Sequence, residues 1–224
     1  MIPRYAEHRP GVPSPMSRVI SVNVGERQAV RFRGHAALTG IYKSPVEGSV
    51  RVEGVNLVGD DQADRRVHGG LHKAVYAYAS EDYGWWSGQL GHPFAPGTFG
   101  ENLTTEGIDI GTAVVGQRWR VGDVVLEVSE PRMPCYKLGI RMNDPGFPAL
   151  FSAAGRPGSY LRIIHEGSLA AGNRIETDTP PEHGLTVADI ARIYDRDHHQ
   201  ARRLLEAPEL SHPWKRWAKR IAQI

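Results

Sequence analysis

The chain has 224 residues, of which 40% are hydrophobic and 23% are charged. This composition is typical of a folded globular protein and excludes an intrinsically disordered chain, and the length allows one sizeable core with a small appendage. The formal net charge of +2 gives no strong global attraction to nucleic acid or to an anionic membrane, so any basic surface has to be local.

The amino-terminal segment is rich in proline. Residues 1–16 contain four of the 16 prolines, and they lack the apolar stretch of a signal peptide. Because proline removes backbone donors and disfavours both helix and sheet, we predict a flexible leader over 1–16. No run approaches the roughly 20 apolar residues of a membrane span. We therefore expect a cytoplasmic protein with no membrane contact.

Residues 17–177 are predicted to form a mainly β domain. Short β-branched runs recur at 19–24, 113–115, 124–128 and 161–164, and glycine-containing turns lie at 121–124 and 171–175. Such frequent reversals suggest a closed or nearly closed barrel, which leaves few exposed strand edges. One helix is predicted to interrupt the strands, beginning with Ser80 as its N-cap.

A polar, proline-bearing linker precedes residues 183–224, which are predicted to form three short helices. Thr186 and Asp189 fit a variant capping box, and Trp214 and Trp217 share one helical face that lies opposite basic residues. The basic face loosely suggests a helix-turn-helix, but charged solvent faces are common on small helical modules, so nucleic-acid binding is disfavoured. We expect this module to dock an electron-donating protein or a second copy of the chain.

Cys135 is the only cysteine, so no internal disulfide can form. Arg132 and Lys137 flank it, and nearby positive charge favours a thiolate, which is a good ligand for soft metals such as molybdenum. Two other interpretations remain open: a buried structural thiol, or a nucleophile paired with one of the ten histidines. Zinc is poorly supported, because the glycines between His68 and His72 disfavour the helix that would place both rings on one face.

Three loops have compositions suited to an anionic ligand. Residues 59–76 combine acids, arginines, histidines and a double glycine just before an apolar strand. Residues 96–104 form a second glycine-rich loop, and residues 40–48 a third, in which Lys43 and Ser44 could hold an anion. Neither of these two loops matches a Walker A loop or a dinucleotide-binding fingerprint.

Four segments taken in order resemble the MOSC family, which is named after the C-terminal domain of molybdenum cofactor sulfurase. They are Lys43-Ser44-Pro45, residues 59–76, Phe99-Gly100-Glu101-Asn102-Leu103, and residues 131–138 with Pro134-Cys135-Tyr136-Lys137-Leu138. The likeness to the YiiM-like branch of this family extends over residues 17–173, and the tail is similar to the three-helix module that follows the barrel in that branch.

The resemblance implies a β-barrel that holds molybdenum cofactor, with Cys135 as the protein ligand of the metal. By position, Lys43 and Ser44 would contact the pterin phosphate. The remaining residues that the resemblance assigns to the site are Arg66 or its neighbour Arg65, His68, Asn102, Arg132 and Lys137.

The resemblance also implies an oxidoreductase that reduces N-hydroxylated compounds, such as hydroxylated base analogues and amidoximes. Cys135, Arg66 and His68 would form the catalytic group, with His68 as a proton donor to the departing water. Because no further cysteines and no nucleotide fingerprint are present, the electrons would come from a separate reductase. The alternative is a non-redox carrier of the cofactor or of sulfur. A pyridoxal-phosphate role has also been linked to the family, but the sequence does not identify a Schiff-base lysine.

Overall fold

The fold was obtained as a computed structural model that describes residues 17–32, 35–63 and 69–224. The predicted leader and residues Asp64 to His68 lie outside this part of the chain. The strands assigned within it are β1 (Arg18–Val24), β2 (Gln28–Phe32), β3 (His35–Thr39), β4 (Ser44–Pro45), β5 (Ser49–Glu53), β6 (Asn56–Leu57), β7 (Val75–Ala79), β8 (Leu103–Glu106), β9 (Arg118–Val121), β10 (Val124–Pro131), β11 (Ser159–His165), β12 (Gly167–Ala170) and β13 (Ile175–Thr177).

The α-helices in the described ranges are α1 (Ser80–Leu90), α2 (Tyr136–Arg141), α3 (Phe147–Ala154), α4 (Val187–Asp195) and α5 (His212–Ala222). Shorter 3₁₀ segments cover Leu71–Lys73, Ile110–Thr112 and His198–Glu206. None of the helices described is long and apolar enough to cross a bilayer.

An eight-stranded sheet forms the centre of the molecule, in the order β13-β9-β10-β11-β7-β8-β1-β4. Its strands pair antiparallel except β7 and β8, which are parallel. The ladder is not continuous around a full circle. Arg18 of β1 nevertheless forms an isolated antiparallel bridge with Arg174 beside β13, and the amide of Ile175 donates to the carbonyl of Ser17 at 2.8 Å. The predicted strand-rich fold is therefore confirmed as a large sheet accompanied by several helices, in which β1, next to the β4 edge, approaches the β13 edge without closing a barrel.

Two local predictions in this domain have opposite outcomes. Gly122 lies in the turn between β9 and β10 at φ +58°, and a Cβ there would come within 2.7 Å of the Ser168 carbonyl oxygen, so the predicted tight turn needs glycine. The strand expected over 113–115 is wrong. Only an isolated bridge between Val114 and Thr186 forms there, because these residues lie between a 3₁₀ turn and the C-terminal helices and pair with neither sheet edge.

A second group of aromatic side chains packs beside the barrel and supports one end of it. Trp86 of α1 is fully buried, donates to the Tyr78 hydroxyl at 2.8 Å and stacks on Phe151 of α3. Phe99 packs among them. The predicted helix is confirmed, although its N-cap is Ala79 rather than Ser80, and the cap makes no side-chain hydrogen bond.

The carboxy-terminal helices pack on the barrel through one continuous core, in which Val187, Leu204 and Trp214 join the barrel's own side chains. The capping box at Thr186 and Asp189 is present, with the Asp189 amide donating to the Thr186 hydroxyl at 3.0 Å. Three helical segments form as predicted, although the middle one is 3₁₀. The predicted domain limits at residues 177 and 183 remain predictions.

Candidate functional site

Cys135 lies in the short connection between β10 and α2, at the end of one of the most buried strands of the sheet. Pro131 ends β10 because proline cannot donate to the ladder, and Pro134 restricts the residue before it to extended backbone. The Cys135 side chain is half-buried, and it lines two neighbouring cavities.

The first cavity, which we call the polar cavity, has a volume of about 90 Å³. That is room for a few waters or one small anionic group. It brings together loops that are far apart in sequence, and its charged residues within the described ranges are Lys43, Asp60, Asp61, Lys73, Arg132 and Lys137. In this part of the chain, four cations against two carboxylates favour an anion.

Arg132 is the most deeply buried cation of the polar cavity for which the described residues supply no ion-pair partner. It is only 5% exposed, and no described residue forms a hydrogen bond with its Nη1 atom. Its guanidinium lies 5.5 Å from the Tyr76 ring centre and 5.1 Å from that of Phe151, so aromatic faces partly offset its desolvation. A guanidinium stays charged at all relevant pH values, and its free donor suits an anionic group. Lys137 is also buried, and it has no hydrogen bond or ion pair within the described ranges.

The Lys43 ammonium is already paired within the protein and is therefore not available to a phosphate. Its partner is Asp60, and the two side chains are 7% and 1% exposed. Burial lowers the pKa of Lys43, and the attraction of Asp60 opposes that effect. Asp60 also accepts from the Gly25 amide and from Asn102 Nδ2, both at 2.9 Å. Lys43 and Asn102 therefore meet at Asp60, a residue that the sequence-based site did not include.

The structure separates Ser44 from Lys43. Ser44 is exposed in β4, pairs with Val24, and does not line the polar cavity. Strand geometry explains this, because consecutive side chains of extended backbone point to opposite faces. Arg65, Arg66 and His68 lie outside the described residues, and their predicted roles stay predictions.

Glu101 holds the glycine-rich loop against the cavity. Its Oε1 accepts from the Gly97 amide at 2.7 Å, from the Thr104 hydroxyl at 2.8 Å and from the Tyr83 hydroxyl. Complete burial raises its pKa. Gly100 then approaches Ile41 so closely that a Cβ would lie 2.7 Å from Ile41 Cγ1, so the loop requires glycine at this position.

The second cavity, which we call the aromatic cleft, has a volume of about 570 Å³. It lies between the barrel and the C-terminal helices. Its walls include Leu71, His72, Glu130, Met133, Tyr194, Ser211, Trp214 and Trp217. Cys135, Lys73 and Tyr160 line both cavities, so the thiol lies where they meet.

Tyr160 supplies a neutral hydroxyl at this junction. Burial raises its pKa to about 12, against the opposing effect of Arg132. Lys73 lies 3.4 Å from Glu130 Oε1 and 5.7 Å from the centre of the Tyr160 ring. Sequence patterns did not assign either residue to the site, although Lys73 ends the charged loop that was singled out before β7.

Comparison with known proteins identifies the family. The family model described as "MOSC domain" matches residues 64–176, which is half of the chain. The chain belongs to the MOSC family. The uncharacterised protein YflK of Bacillus subtilis is 34% identical to it over 203 residues, covering 88% of this chain and 90% of that protein.

Other MOSC relatives extend the comparison. The crystal structure of YiiM from Geobacillus stearothermophilus superposes with a TM-score of 0.76 at 28% identity, covering 92% of this chain and 98% of that one. A protein of Gibberella moniliformis named "Reductase" is 30% identical over 193 residues, which cover 83% of this chain but only 34% of that protein. The fold and the family predicted for this MOSC chain are thus confirmed.

Proposed function

We propose that the chain is a molybdenum-cofactor-dependent oxidoreductase that reduces N-hydroxylated compounds, with Cys135 as the protein ligand of the metal. The observation that carries the proposal is the position of this one thiol, at the junction of a cation-lined cavity and a larger apolar cleft. Membership of the MOSC family and the relative named "Reductase" support a role of the molybdenum-cofactor and oxidoreductase type.

The residues at the junction fit such a cofactor chemically. A half-buried thiol offers a soft ligand to molybdenum, and the free donor of Arg132 together with Lys137 offers charge to an anionic group. The polar cavity is too small for a whole pterin, so these residues would hold the anionic end of the cofactor nearest the metal. In the described residues no cluster of three or more His, Cys, Asp or Glu could hold a metal ion.

When bound, the cofactor would supply two-electron, oxygen-atom chemistry. The chain's own residues would orient the reactants and provide protons. Besides Cys135, the described residues that line both cavities are Tyr160 and Lys73, which bring a hydroxyl and an ammonium group as sources of protons. Asp60 holds Lys43 and Asn102 in place at the wall, so Asp60 serves as a positioning residue for the cavity. His68 remains the proton donor proposed from the resemblance.

A separate reductase is the proposed source of electrons, and a homodimer is a further proposal. In favour of the first, the Gibberella moniliformis "Reductase" is about three times as long as the stretch it shares with this chain.

Metal analysis tests the proposal. Wild-type protein from a host that makes the cofactor should contain about one molybdenum per chain, and Cys135→Ala and Cys135→Ser should contain almost none, because the metal loses its protein ligand. Tyr136→Phe is the matched control. Its side chain is exposed and lines neither cavity, so its molybdenum content should equal that of the wild type.

Two results would contradict parts of this proposal. Equal molybdenum in the wild type and in Cys135→Ala would remove Cys135 as the ligand. Stoichiometric molybdenum without reduction of benzamidoxime by a chemical electron donor would instead identify a carrier of the cofactor.

A further inference from the structure

The C-terminal helix α5 carries a row of cations on its outer side, which we call the basic face. The helix packs against the core through Trp214 and Ala218. The members of the basic face point away from that buried side, and they are Lys215, Arg216, Lys219 and Arg220. The sequence contains no aspartate or glutamate after Glu209. The helix therefore brings four cationic side chains and no acidic one.

Three of the four cations have no partner in the described part of the chain. The Lys215 ammonium donates to the Pro208 carbonyl at 2.6 Å, whereas Arg216, Lys219 and Arg220 are exposed and form no hydrogen bond or ion pair with a described residue. The helix dipole favours Lys219 and Arg220 in the last turn, but it does not favour Arg216. Arg216 also repels Arg220 one turn later, as Lys215 repels Lys219. The stability of the helix therefore does not explain the whole basic face.

The same helix forms part of the wall between solvent and the surroundings of Cys135. Trp214 and Trp217 line the aromatic cleft, and Cys135 lines it as well. An α-helix with its side chains is about 10–12 Å thick, so a protein bound to the basic face lies about one helix diameter from the cleft. The basic face is thus well placed for a partner that delivers electrons to the site.

The size of the basic face suits a small and transient contact. The helix rises by only about 8 Å between Lys215 and Arg220. A face of this length covers much less than the roughly 800 Å² per partner of a stable complex, and redox complexes lie at the low end of interface sizes. A cluster of carboxylates on the partner would be attracted to the face and would associate faster for that reason.

Two other occupants of the basic face are disfavoured by charge and burial. In a two-fold symmetric dimer the face would meet its own copy, so four cations would oppose four cations. A helix that lies in a bilayer surface buries its apolar side in lipid, but the apolar side of α5, with Trp214 and Ala218, is already in the protein core. An acidic protein is therefore the favoured partner, and nucleic acid is the alternative that the experiment has to separate.

We propose that the basic face of α5 is the docking surface for the electron donor, and that this donor is a small acidic protein that carries one electron. Carboxylates of the carrier pair with Arg216, Lys219 and Arg220. Two encounters deliver two electrons, which together with two protons convert an amidoxime into an amidine and water. The use of these electrons rests on the proposed function, whereas the binding of an acidic carrier does not.

The probe for this surface is a plant-type ferredoxin, which is an acidic one-electron carrier. Calorimetric titration of the full-length, cofactor-loaded protein at about 20 mM salt measures binding. Reduction of benzamidoxime by ferredoxin, kept reduced by its NADPH-dependent reductase, measures electron delivery. In Arg216→Glu/Lys219→Glu, the dissociation constant should rise and the ferredoxin-driven turnover should fall, each by about tenfold. Turnover with reduced methyl viologen, a small chemical donor, should not change.

The double substitution should not damage the helix. It places opposite charges four residues apart, at 215 and 219 and at 216 and 220, so the thermal unfolding midpoint should stay the same or rise. If this variant nevertheless does not fold, Lys219→Gln alone keeps the test valid, with an expected loss of binding of about threefold.

Arg31→Glu/Arg120→Glu is the matched control. Both arginines are exposed, form no ion pair with a described residue and lie outside the C-terminal helices, and the control changes the net charge by the same amount. It should bind ferredoxin within about twofold of the wild type, because distant surface charges are screened. At about 300 mM salt the wild type and the α5 variant should bind about equally weakly.

The inference is overturned if the wild type does not bind ferredoxin, or if the α5 variant and the control bind it equally well. It is also overturned if the wild type binds a DNA duplex of about 20 base pairs more tightly than ferredoxin, because the face would then serve nucleic acid. If ferredoxin binding depends on Arg216 and Lys219 but the protein holds no molybdenum, the proposed function is wrong and the docking surface stands. If methyl viologen drives turnover but binding ignores the face, the proposed function stands without this inference.

Discussion

The buried pair of Lys43 and Asp60 gives the sharpest stability prediction for the cavity. Asp60→Asn removes the carboxylate charge but keeps the shape, and it leaves the Lys43 ammonium buried with no compensating charge in contact. Breaking a buried ion pair from one side costs about 3–5 kcal/mol, because the desolvation penalty of the remaining charge is no longer offset. We expect the midpoint of thermal unfolding to fall by about 6–20 °C for a chain of this length.

Removal of the other partner, the Lys43 ammonium, should lower the free energy of unfolding by less. In Lys43→Met, Asp60 still accepts from the Gly25 amide and from Asn102 Nδ2, so its charge keeps two donors. The double variant Asp60→Asn/Lys43→Met should lose less free energy of unfolding than the two single losses added together, since it leaves no unpaired ammonium. This non-additivity distinguishes the loss of a charge pair from general damage to the loop.

Urea unfolding of the four proteins measures these differences directly. Glu106→Gln serves as the control, because its ion pair with Arg18 is about half exposed on both sides and should contribute at most about 1 kcal/mol. The reasoning fails if Asp60→Asn unfolds within about 1 kcal/mol of the wild type, or if Lys43→Met is the more damaging of the two substitutions.

Two further predictions concern the backbone and the cleft. Gly158→Ala should destabilise the fold by roughly 2–5 kcal/mol, because the backbone lies at φ +62° and the new Cβ would come within 2.6 Å of the Ala77 carbonyl oxygen. Gly172→Ala has a similar φ of +91° but open space, so urea titration should show the smaller loss there, and equal losses would contradict the steric argument. His72 provides the pH test. Burial, followed by the charge of Arg162, lowers the pKa of His72 in the folded protein. Below about pH 6.5 the unfolded chain therefore binds more protons than the folded one, so the contribution of the neutral ring to stability is present only above that pH. Between about pH 7.5 and 5.5 the wild type should therefore lose more thermal stability than His72→Gln, and parallel curves would show that the ring is not held neutral by the fold.

Local features could be predicted from the sequence because they depend on neighbours along the chain. The turn at Gly122 follows from a backbone conformation that only glycine adopts easily, and the capping box at Thr186 uses a hydrogen bond that spans three residues. Cys135 could be singled out for the same reason, since its prolines and cations are adjacent to it.

Only tertiary packing decided which side chains surround Cys135. Asp60 meets Lys43 across 17 residues and Asn102 across 42, and no periodic pattern records such a pairing. The alternation of extended backbone turned Ser44 away from the cavity that Lys43 faces. The aromatic cleft likewise exists only because the C-terminal helices share a core with the barrel, which brings Trp217 near a thiol more than eighty residues earlier. The sequence thus determined most of the elements and singled out Cys135, whereas long-range burial determined the shape and charge of the space around it.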